Sequence, residues 1–208
     1  MIETAAKPAS LAAAANSDLV ATLARRSQDG DAEATRQLFD LLVADVHRIV
    51  WRLLGPDPEH EDVCQSVLVA VHQALAGFRH QSQLSTWLYR ICIRTAARHR
   101  RKAFRFRRLF AGPEAAAAEP ATPDPSPEER VANRERAAAA RAALFRMGAR
   151  KRTVYQLVEL EGLAPDQVAA IVDAPLATVH TRLFHARREL ARALCRHDAR
   201  EAGQHADA

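Results

Sequence analysis

A proline-rich stretch divides this sequence and constrains its fold more than any other feature. Residues 111–127 consist entirely of Ala, Gly, Pro, Glu, Asp, Ser and Thr, and five of them are proline. This composition supplies no large apolar side chain and interrupts helices, so the stretch cannot form part of a core. The sequence therefore predicts two small folded domains joined by a flexible, partly extended linker at 109–130.

Helical periodicity occupies both sides of the linker. Apolar residues recur at steps of three and four from Ser17 onward, the spacing of one helix face, and no stretch shows the alternation of a half-buried strand. The predicted fold is all-α, with two small helical domains and a helix-turn-helix in the second. The predicted bounds are 1–16 for a disordered tail, 17–108 for the first domain, 131–197 for the second and 198–208 for a tail.

Local signals predict where the helices of the first domain begin and end. Ser17 or Asp18 is expected to cap the first helix. The run Gly-Pro-Asp-Pro at 55–58 should stop the second, because two prolines and a glycine follow its last apolar residue. A third helix is expected from about 59 to 76, and Ser85 is expected to cap a fourth.

The segment 161–194 has the pattern of a helix-turn-helix. Pro165 suits a first helical position, because its missing N–H has no partner there, and Asp166 lies near the positive end of the helix dipole. After two further residues, 173 and 174, Pro175 opens a second helix with an apolar face. That face comprises Leu176, Val179, Leu183, Ala186, Leu190 and Leu194. The second helix of such a motif lies in the DNA major groove, although an ordinary helical hairpin is the alternative.

Basic residues concentrate between Arg90 and Arg108, where nine Arg or Lys occur without an acid, although the net charge of the chain is only +5. Such a patch favours a phosphate backbone, an acidic protein or an anionic membrane, whereas a solvated helix face usually mixes signs. Phe78, Trp87 and Tyr89 interleave with arginines at its start. Aromatic rings stack on unpaired bases, so this pattern indicates single-stranded nucleic acid, with a core position for Trp87 as the alternative.

Other chemistry has little support in the sequence. It contains no Gly-rich phosphate loop, G-x-S-x-G or H-E-x-x-H motif, so no enzyme is expected. His60 and Cys64 lie one helical turn apart and could grip zinc, but no third ligand follows at a suitable spacing, so neither a metal nor a cofactor is expected. Three scattered cysteines fit a reducing cytoplasm. The absence of a long apolar run or signal-like start predicts a cytoplasmic protein without membrane insertion.

The chain resembles bacterial sigma factors of the extracytoplasmic-function (ECF) type. The resemblance is carried by motifs that occur in the family's order on both sides of the linker. They are EDVCQSV at 61–67, AGFR at 76–79 and LSTWLYRI at 84–91, then RTV at 152–154, ELEGL at 159–163 and ATVHTRLFHAR at 177–187.

The resemblance implies a promoter-specificity subunit that binds RNA polymerase core, recognises and melts the −10 element, and binds the −35 element. It places the polymerase clamp helices and flap region, promoter DNA and an anti-sigma factor among the partners, with no small-molecule substrate. The residues implied for polymerase binding are Asp62, Val63, Gln65 and Val67. Those implied for the −10 strand, where a base is flipped into a pocket, are Phe78, Arg79, His80, Gln81, Ser82, Ser85, Trp87, Arg90, Arg94 and Arg98. Those implied for the −35 element are Thr178, His180, Thr181, Arg182, Phe184 and His185.

The chain departs from the family pattern at a few positions. Ser66 stands where an acid is usual, and Gly148 stands where proline is frequent. His180 and His185 replace the more common lysine or arginine. Because a neutral imidazole offers a phosphate no charge, −35 binding should be weaker near about pH 7.5 and should strengthen below about pH 6.5.

The main alternative is a helix-turn-helix regulator that binds an operator without acting as a polymerase subunit. It accounts for the second domain but not for a Trp-bearing loop followed by a basic helix. A protein-interaction module with a similar fold accounts for neither basic region.

Overall fold

The computed structural model describes residues 14–110 and 127–206, with side chains described for 18–103 and 135–199. Regular structure in these ranges is entirely helical, which confirms the predicted fold class. The chain forms two compact units, Met1–Ala117 and Ala118–Ala208. The predicted linker between 111 and 126 and the predicted tail up to residue 13 lie outside the described residues. No described helix is both long and apolar enough to cross a membrane.

The first unit is built around one central helix. Its elements are α1 (Ala14–Gln28), α2 (Ala32–Leu54), α3 (His60–Leu75) and α4 (Leu84–Phe110). Helix α2 packs against each of the other three, so the core follows its apolar face. The largest fully buried side chains of this core include Leu38, Leu42, Ile49, Leu53, Val67, Val71 and Leu88.

Helix α2 has well-defined ends. Asp31 caps it, because its carboxylate accepts a hydrogen bond from the Ala34 amide at 3.0 Å and pairs with Arg26 at 2.6 Å. These contacts, led by the Ala34 amide, lower the pKa of Asp31. Gly55 ends the helix with φ of 71°, a left-handed conformation that favours glycine. The predicted stop at 55–58 is therefore confirmed.

Two predicted caps are wrong. Helix α1 already begins at Ala14, so Ser17 and Asp18 lie inside it; the alanines before them are strong helix formers and extend the helix. Helix α4 begins one residue before Ser85, because the Trp87 amide donates to the Gln83 carbonyl at 3.2 Å. Ser85 is therefore part of the first turn instead of its cap.

The second unit is built around its last helix. Its elements are α5 (Pro127–Arg146), α6 (Ala149–Tyr155), a π-helical turn (Gln156–Leu160), α7 (Pro165–Val172) and α8 (Leu176–Ala206). Helix α8 packs against α5, α6 and α7. Helix α5 starts within the predicted linker, and α8 continues to Ala206 through most of the predicted tail.

A buried arginine fixes the junction between α5 and α6. Nη1 of Arg152 donates to the Phe145 carbonyl at 2.9 Å, and its guanidinium lies 5.7 Å from the centre of the Phe145 ring. Burial lowers the pKa of Arg152. Gly148 is the N-cap residue of α6, so the departure from the family pattern at this position falls at a helix entry.

Candidate nucleic-acid interface

The loop after α3 is held by a side chain from α1. Nε2 of Gln28 donates to the carbonyls of Leu75 and Phe78 at 2.9 and 2.8 Å, and its Oε1 lies 2.8 Å from Nε2 of His80. His80 has φ of 53°, a conformation that a non-glycine residue adopts at a cost. Gln28 therefore fixes the backbone of the loop and its most strained residue. Gln28 was not among the residues predicted from the sequence.

Aromatic rings form the base of this loop. Phe78 is only 7% exposed, and the centre of its ring lies 4.7 Å from that of His80 and 5.1 Å from that of half-buried Trp87. Tyr89 is buried as well, which raises its pKa. Phe78 and Tyr89 are thus buried within the fold, whereas half-buried Trp87 packs on Phe78 and stays partly accessible, so its burial does not decide between a core position and base stacking.

Polar side chains remain accessible above the aromatic base. Arg79 and Gln81 are exposed, while His80, Ser82 and Ser85 are half-buried. The loop thus presents hydrogen-bonding groups and one cation on a rigid apolar support.

The basic helix leads away from this loop. On α4, Arg94 and Arg98 are exposed and Arg90 is half-buried. These three residues recur every four positions, which places them along one side of the helix. Exposed Arg101 and Lys102 follow, so positive charge continues along the helix beyond the loop.

Helix α3 divides the predicted polymerase contacts into two groups. Asp62 and Gln65 are exposed, as predicted for a docking surface. Val63 and Val67 are buried in the core of the first unit, so a direct contact with polymerase is excluded for them in this fold. Their spacing turns them toward α2. Val69 is instead 55% exposed and lies one turn after Gln65 on the same face, where an apolar contact is available.

The helix-turn-helix forms as predicted between 165 and 194. Pro165 and Asp166 occupy the first turn of α7, and the Gln167 side chain accepts from the Ala164 amide at 3.1 Å. Ala164 has no side-chain acceptor, so only this half of a capping box exists. Asp173 ends α7 in the left-handed conformation, with φ of 50°, and redirects the chain into α8.

Four of the six residues predicted for the apolar face of α8 are buried, namely Val179, Leu183, Ala186 and Leu190. Leu194 is half-buried. Leu176 is 44% exposed, because side chains lean toward the helix N terminus and this first residue extends past the packed interface.

The six residues predicted to read DNA lie on the accessible part of α8. His180, Thr181, Phe184 and His185 are exposed, and Thr178 and Arg182 are half-buried. Phe184 is 59% exposed, so its ring is available for contact from outside the fold. The Thr181 hydroxyl donates to the Ala177 carbonyl at 2.9 Å, so it offers its lone pairs and methyl group outward.

His185 opens onto a basic groove on the second unit. Besides His185, the groove is lined by Lys151, Arg188, Glu189, Arg192 and Arg196. Lys151 pairs with Glu189, which ties α6 to α8. The remaining cations give this end of α8 a surface suited to phosphates, even though His185 carries no charge when neutral.

The chain is similar to sigma factors in sequence. The pattern of the sigma-70 region 2 family matches residues 38–106. The RNA polymerase sigma-H factor of Pseudomonas aeruginosa is 33% identical over 188 residues, covering 83% of this chain and 92% of that protein. The ECF RNA polymerase sigma-E factor of Escherichia coli K12 is 30% identical over 176 residues, covering 81% and 90%. Both alignments are longer than either unit, so they extend over the two.

Solved structures share the fold. CnrH, solved in complex with the cytosolic domain of CnrY, matches with a TM-score of 0.59 at 23% identity, covering 83% of this chain and 95% of that one. The sigma factor RpoE of Bartonella quintana, solved with the anti-sigma factor NepR, matches with a TM-score of 0.60 at 21% identity, covering 78% and 98%.

Proposed function

The chain belongs to the ECF sigma factors of RNA polymerase, and from this membership we propose how its two units divide promoter recognition. As a sigma factor it binds polymerase core and directs transcription initiation. The assignment of DNA-binding surfaces rests on the arrangement of polar groups in the two units. In the first unit, a polar loop fixed by Gln28 precedes a basic helix, and in the second unit, α8 exposes a polar face.

The −10 element is captured at the loop of the first unit. A base flipped from the non-template strand meets Arg79, His80, Gln81, Ser82 and Ser85, while Phe78 and Trp87 support them from below. The low exposure of Phe78 favours this supporting role over direct stacking. Flipping the base costs a few kcal/mol. Because the loop is already ordered, binding does not add the entropic cost of ordering it.

The basic side of α4 follows the DNA beyond that base. Arg90, Arg94 and Arg98 lie along one side of the helix, and each neutralised phosphate adds a salt-dependent contribution to affinity. Such contacts position the strand without reading its sequence.

Polymerase core docks on the exposed face of α3. Asp62 and Gln65 provide polar contacts, and Val69 takes the apolar role that Val63 and Val67 cannot fill. An Asp62→Ala/Gln65→Ala variant should lose core binding while keeping its affinity for a −35 duplex. Asp40→Ala, which removes an exposed acid from α2, serves as the control. Equal loss of both activities in the double variant would indicate a folding defect instead.

The −35 element is read by α8 from the major groove. Thr178, His180, Thr181, Arg182, Phe184 and His185 supply the contacts, and the basic groove beside His185 adds phosphate contacts. The exposure of Phe184 supports this role, because an apolar ring can contact a thymine methyl group.

The remaining properties follow from the family. Sigma factors are not enzymes, and we expect no catalytic activity in this one. Its action on polymerase belongs to the cell interior, and we assign it to the cytoplasm. The Bartonella relative was solved with an anti-sigma factor, so we propose that a protein of this class restrains the chain.

Reconstituted transcription tests the function directly. Purified chain is mixed with polymerase core and fragmented genomic DNA from the same organism, and transcript starts are mapped. New starts that require only core and chain support a sigma factor. Starts that appear only when another sigma factor is added would indicate the operator-binding regulator instead.

A further inference from the structure

Three metal-ligating side chains meet where α2 packs against α3. Nε2 of His60 lies 3.5 Å from Sγ of Cys64, one turn later on α3. The third comes from α2: the ring centre of His47 lies 5.5 Å from that of His60. One ligand atom from each lies within 4.8 Å of the other two. The sequence predicted no metal because a third ligand was missing near His60 and Cys64, but the fold brings one from an earlier helix.

The spacing within this cluster suits a tetrahedral ion. Zinc bonds of about 2.0 Å to nitrogen and about 2.3 Å to sulfur hold these two atoms about 3.5 Å apart. The His60–Cys64 pair already has this separation. His47 is half-buried and can approach the pair by rotating its side chain.

The two ring nitrogens of His60 differ in their surroundings. Nε2 lies 3.5 Å from Sγ of Cys64 and is the ligand atom, whereas Nδ1 is buried without a hydrogen-bond partner among the described residues, and a metal on Nε2 would leave it so. Trp51 packs its edge on the His60 ring, with centres 5.7 Å apart, and shields it from water. Burial raises the pKa of the Cys64 thiol to about 11, so an ion has to displace a proton there.

We propose that His47, His60 and Cys64 bind one zinc ion, or another divalent transition-metal ion that prefers nitrogen and sulfur. Magnesium and calcium are disfavoured, because both require oxygen ligands. Water occupies the fourth position. A carboxylate oxygen of Glu61 lies 3.8 Å from Nδ1 of His47, too far for a hydrogen bond, but rotation of the exposed Glu61 side chain would bring it into the contact that orients metal-bound histidines. As the metal–sulfur bond forms, the Cys64 thiol releases its proton to solvent.

This site adds a property that promoter recognition does not require. The ion would join α2 to α3, the helix that also carries Asp62 and Gln65. Metal binding would therefore stabilise the first unit as a folded body, since only the folded chain brings the three ligands together. Without a metal, the contact between Cys64 and His60 is an ordinary thiol–imidazole hydrogen bond. The metal content of the purified protein distinguishes the two explanations.

Metal content and cobalt spectroscopy test the proposal. Full-length chain without a polyhistidine tag is stripped with chelator, reloaded with zinc, dialysed and analysed for metal. Cobalt is then titrated into stripped protein. We expect one zinc per chain, a higher melting temperature with zinc, and a cobalt spectrum with tetrahedral bands and a thiolate charge-transfer band.

Matched variants identify the ligands. Cys64→Ser should lose the charge-transfer band, whereas Cys195→Ser, which removes an exposed thiol, should keep it. His47→Gln should weaken zinc binding by more than the about 10- to 100-fold that loss of a supporting residue costs. Because His47 is only half-buried, His47→Gln should fold even if Cys64→Ser does not. In that case His47→Gln tests whether the cluster binds zinc. A folded wild-type chain without stoichiometric zinc, or equal zinc affinity in His47→Gln, would overturn the proposal; the latter would identify adventitious surface binding.

Discussion

Replacing Gln28 by alanine should release the loop at 76–82, for which we proposed −10 capture, without unfolding the chain. The side chain donates to two loop carbonyls, at Leu75 and Phe78, and contacts the His80 ring, all at 2.8–2.9 Å. Alanine removes every one of these contacts. Two carbonyl oxygens then lose this donor. His80, which has a left-handed backbone conformation, loses the contact that restrains it.

The expected cost follows from these contacts. A hydrogen bond contributes about 0.5–1.5 kcal/mol net, and the site is half-buried, so water replaces part of what is lost. Three contacts then amount to about 1.5–3 kcal/mol. Because about 1.4 kcal/mol is a factor of ten, the equilibrium constant for holding the loop in place should fall about 10- to 100-fold.

Hydrogen exchange and promoter melting measure this effect. Amides at 76–82 in Gln28→Ala should exchange about 10- to 100-fold faster where exchange proceeds through loop opening. Formation of the melted promoter complex should fall, because a base must now be captured by a disordered loop. Affinity for an isolated −35 duplex should be unchanged, since that surface belongs to the second unit.

Two further variants sharpen the test. Gln37→Ala removes an exposed glutamine whose amide donates to Glu33 at 3.0 Å, and it should behave like the wild type. Gln28→Glu keeps an acceptor for His80 but places a carboxylate oxygen against two carbonyls, so it should be at least as damaging as alanine. Wild-type exchange at 76–82 in Gln28→Ala would refute the reasoning, as would equal loss of melting in Gln37→Ala.

Further predictions concern stability and thiol reactivity. Arg152→Met should destabilise the second unit by about 1–3 kcal/mol in thermal denaturation, because it removes a charged donor from a buried carbonyl; an unchanged melting temperature would contradict this. Only Cys195 should react rapidly with a thiol reagent at about pH 8, because Cys64, with a pKa raised to about 11, is buried and protonated; Cys195→Ser should abolish the fast phase.

The fold was predictable where local chemistry decides it. The stop after α2 depends on a glycine and two prolines, and the turn into α8 on residues around Pro175, so the order and type of the helices follow from the sequence. The caps at Ser17 and Ser85 were mispredicted, because a cap depends on where the backbone turns and neighbouring alanines or a loop carbonyl can shift that point.

The site was predictable only in part. The family resemblance assigned Val63 and Val67 to polymerase binding, but they lie one helical turn apart on the buried face of α3, and their burial decides against direct contact. Gln28 and His47 were missed for a different reason. Gln28 bonds to residues 47 to 52 positions away, and no local pattern indicates such a pairing.

The position of Gln28 changes what counts as the −10 reading unit. The residues that match sigma-70 region 2 are 38–106, and they include the loop but not the side chain that holds it. Val20, Leu23 and Ala24 bury α1 against the rest of the first unit, so Gln28 is presented from a fixed helix. The contacts of Gln28 therefore add to the support that the aromatic base gives the loop. Under the division of promoter recognition proposed above, helix α1 then contributes to −10 capture by holding the loop, without contacting DNA itself.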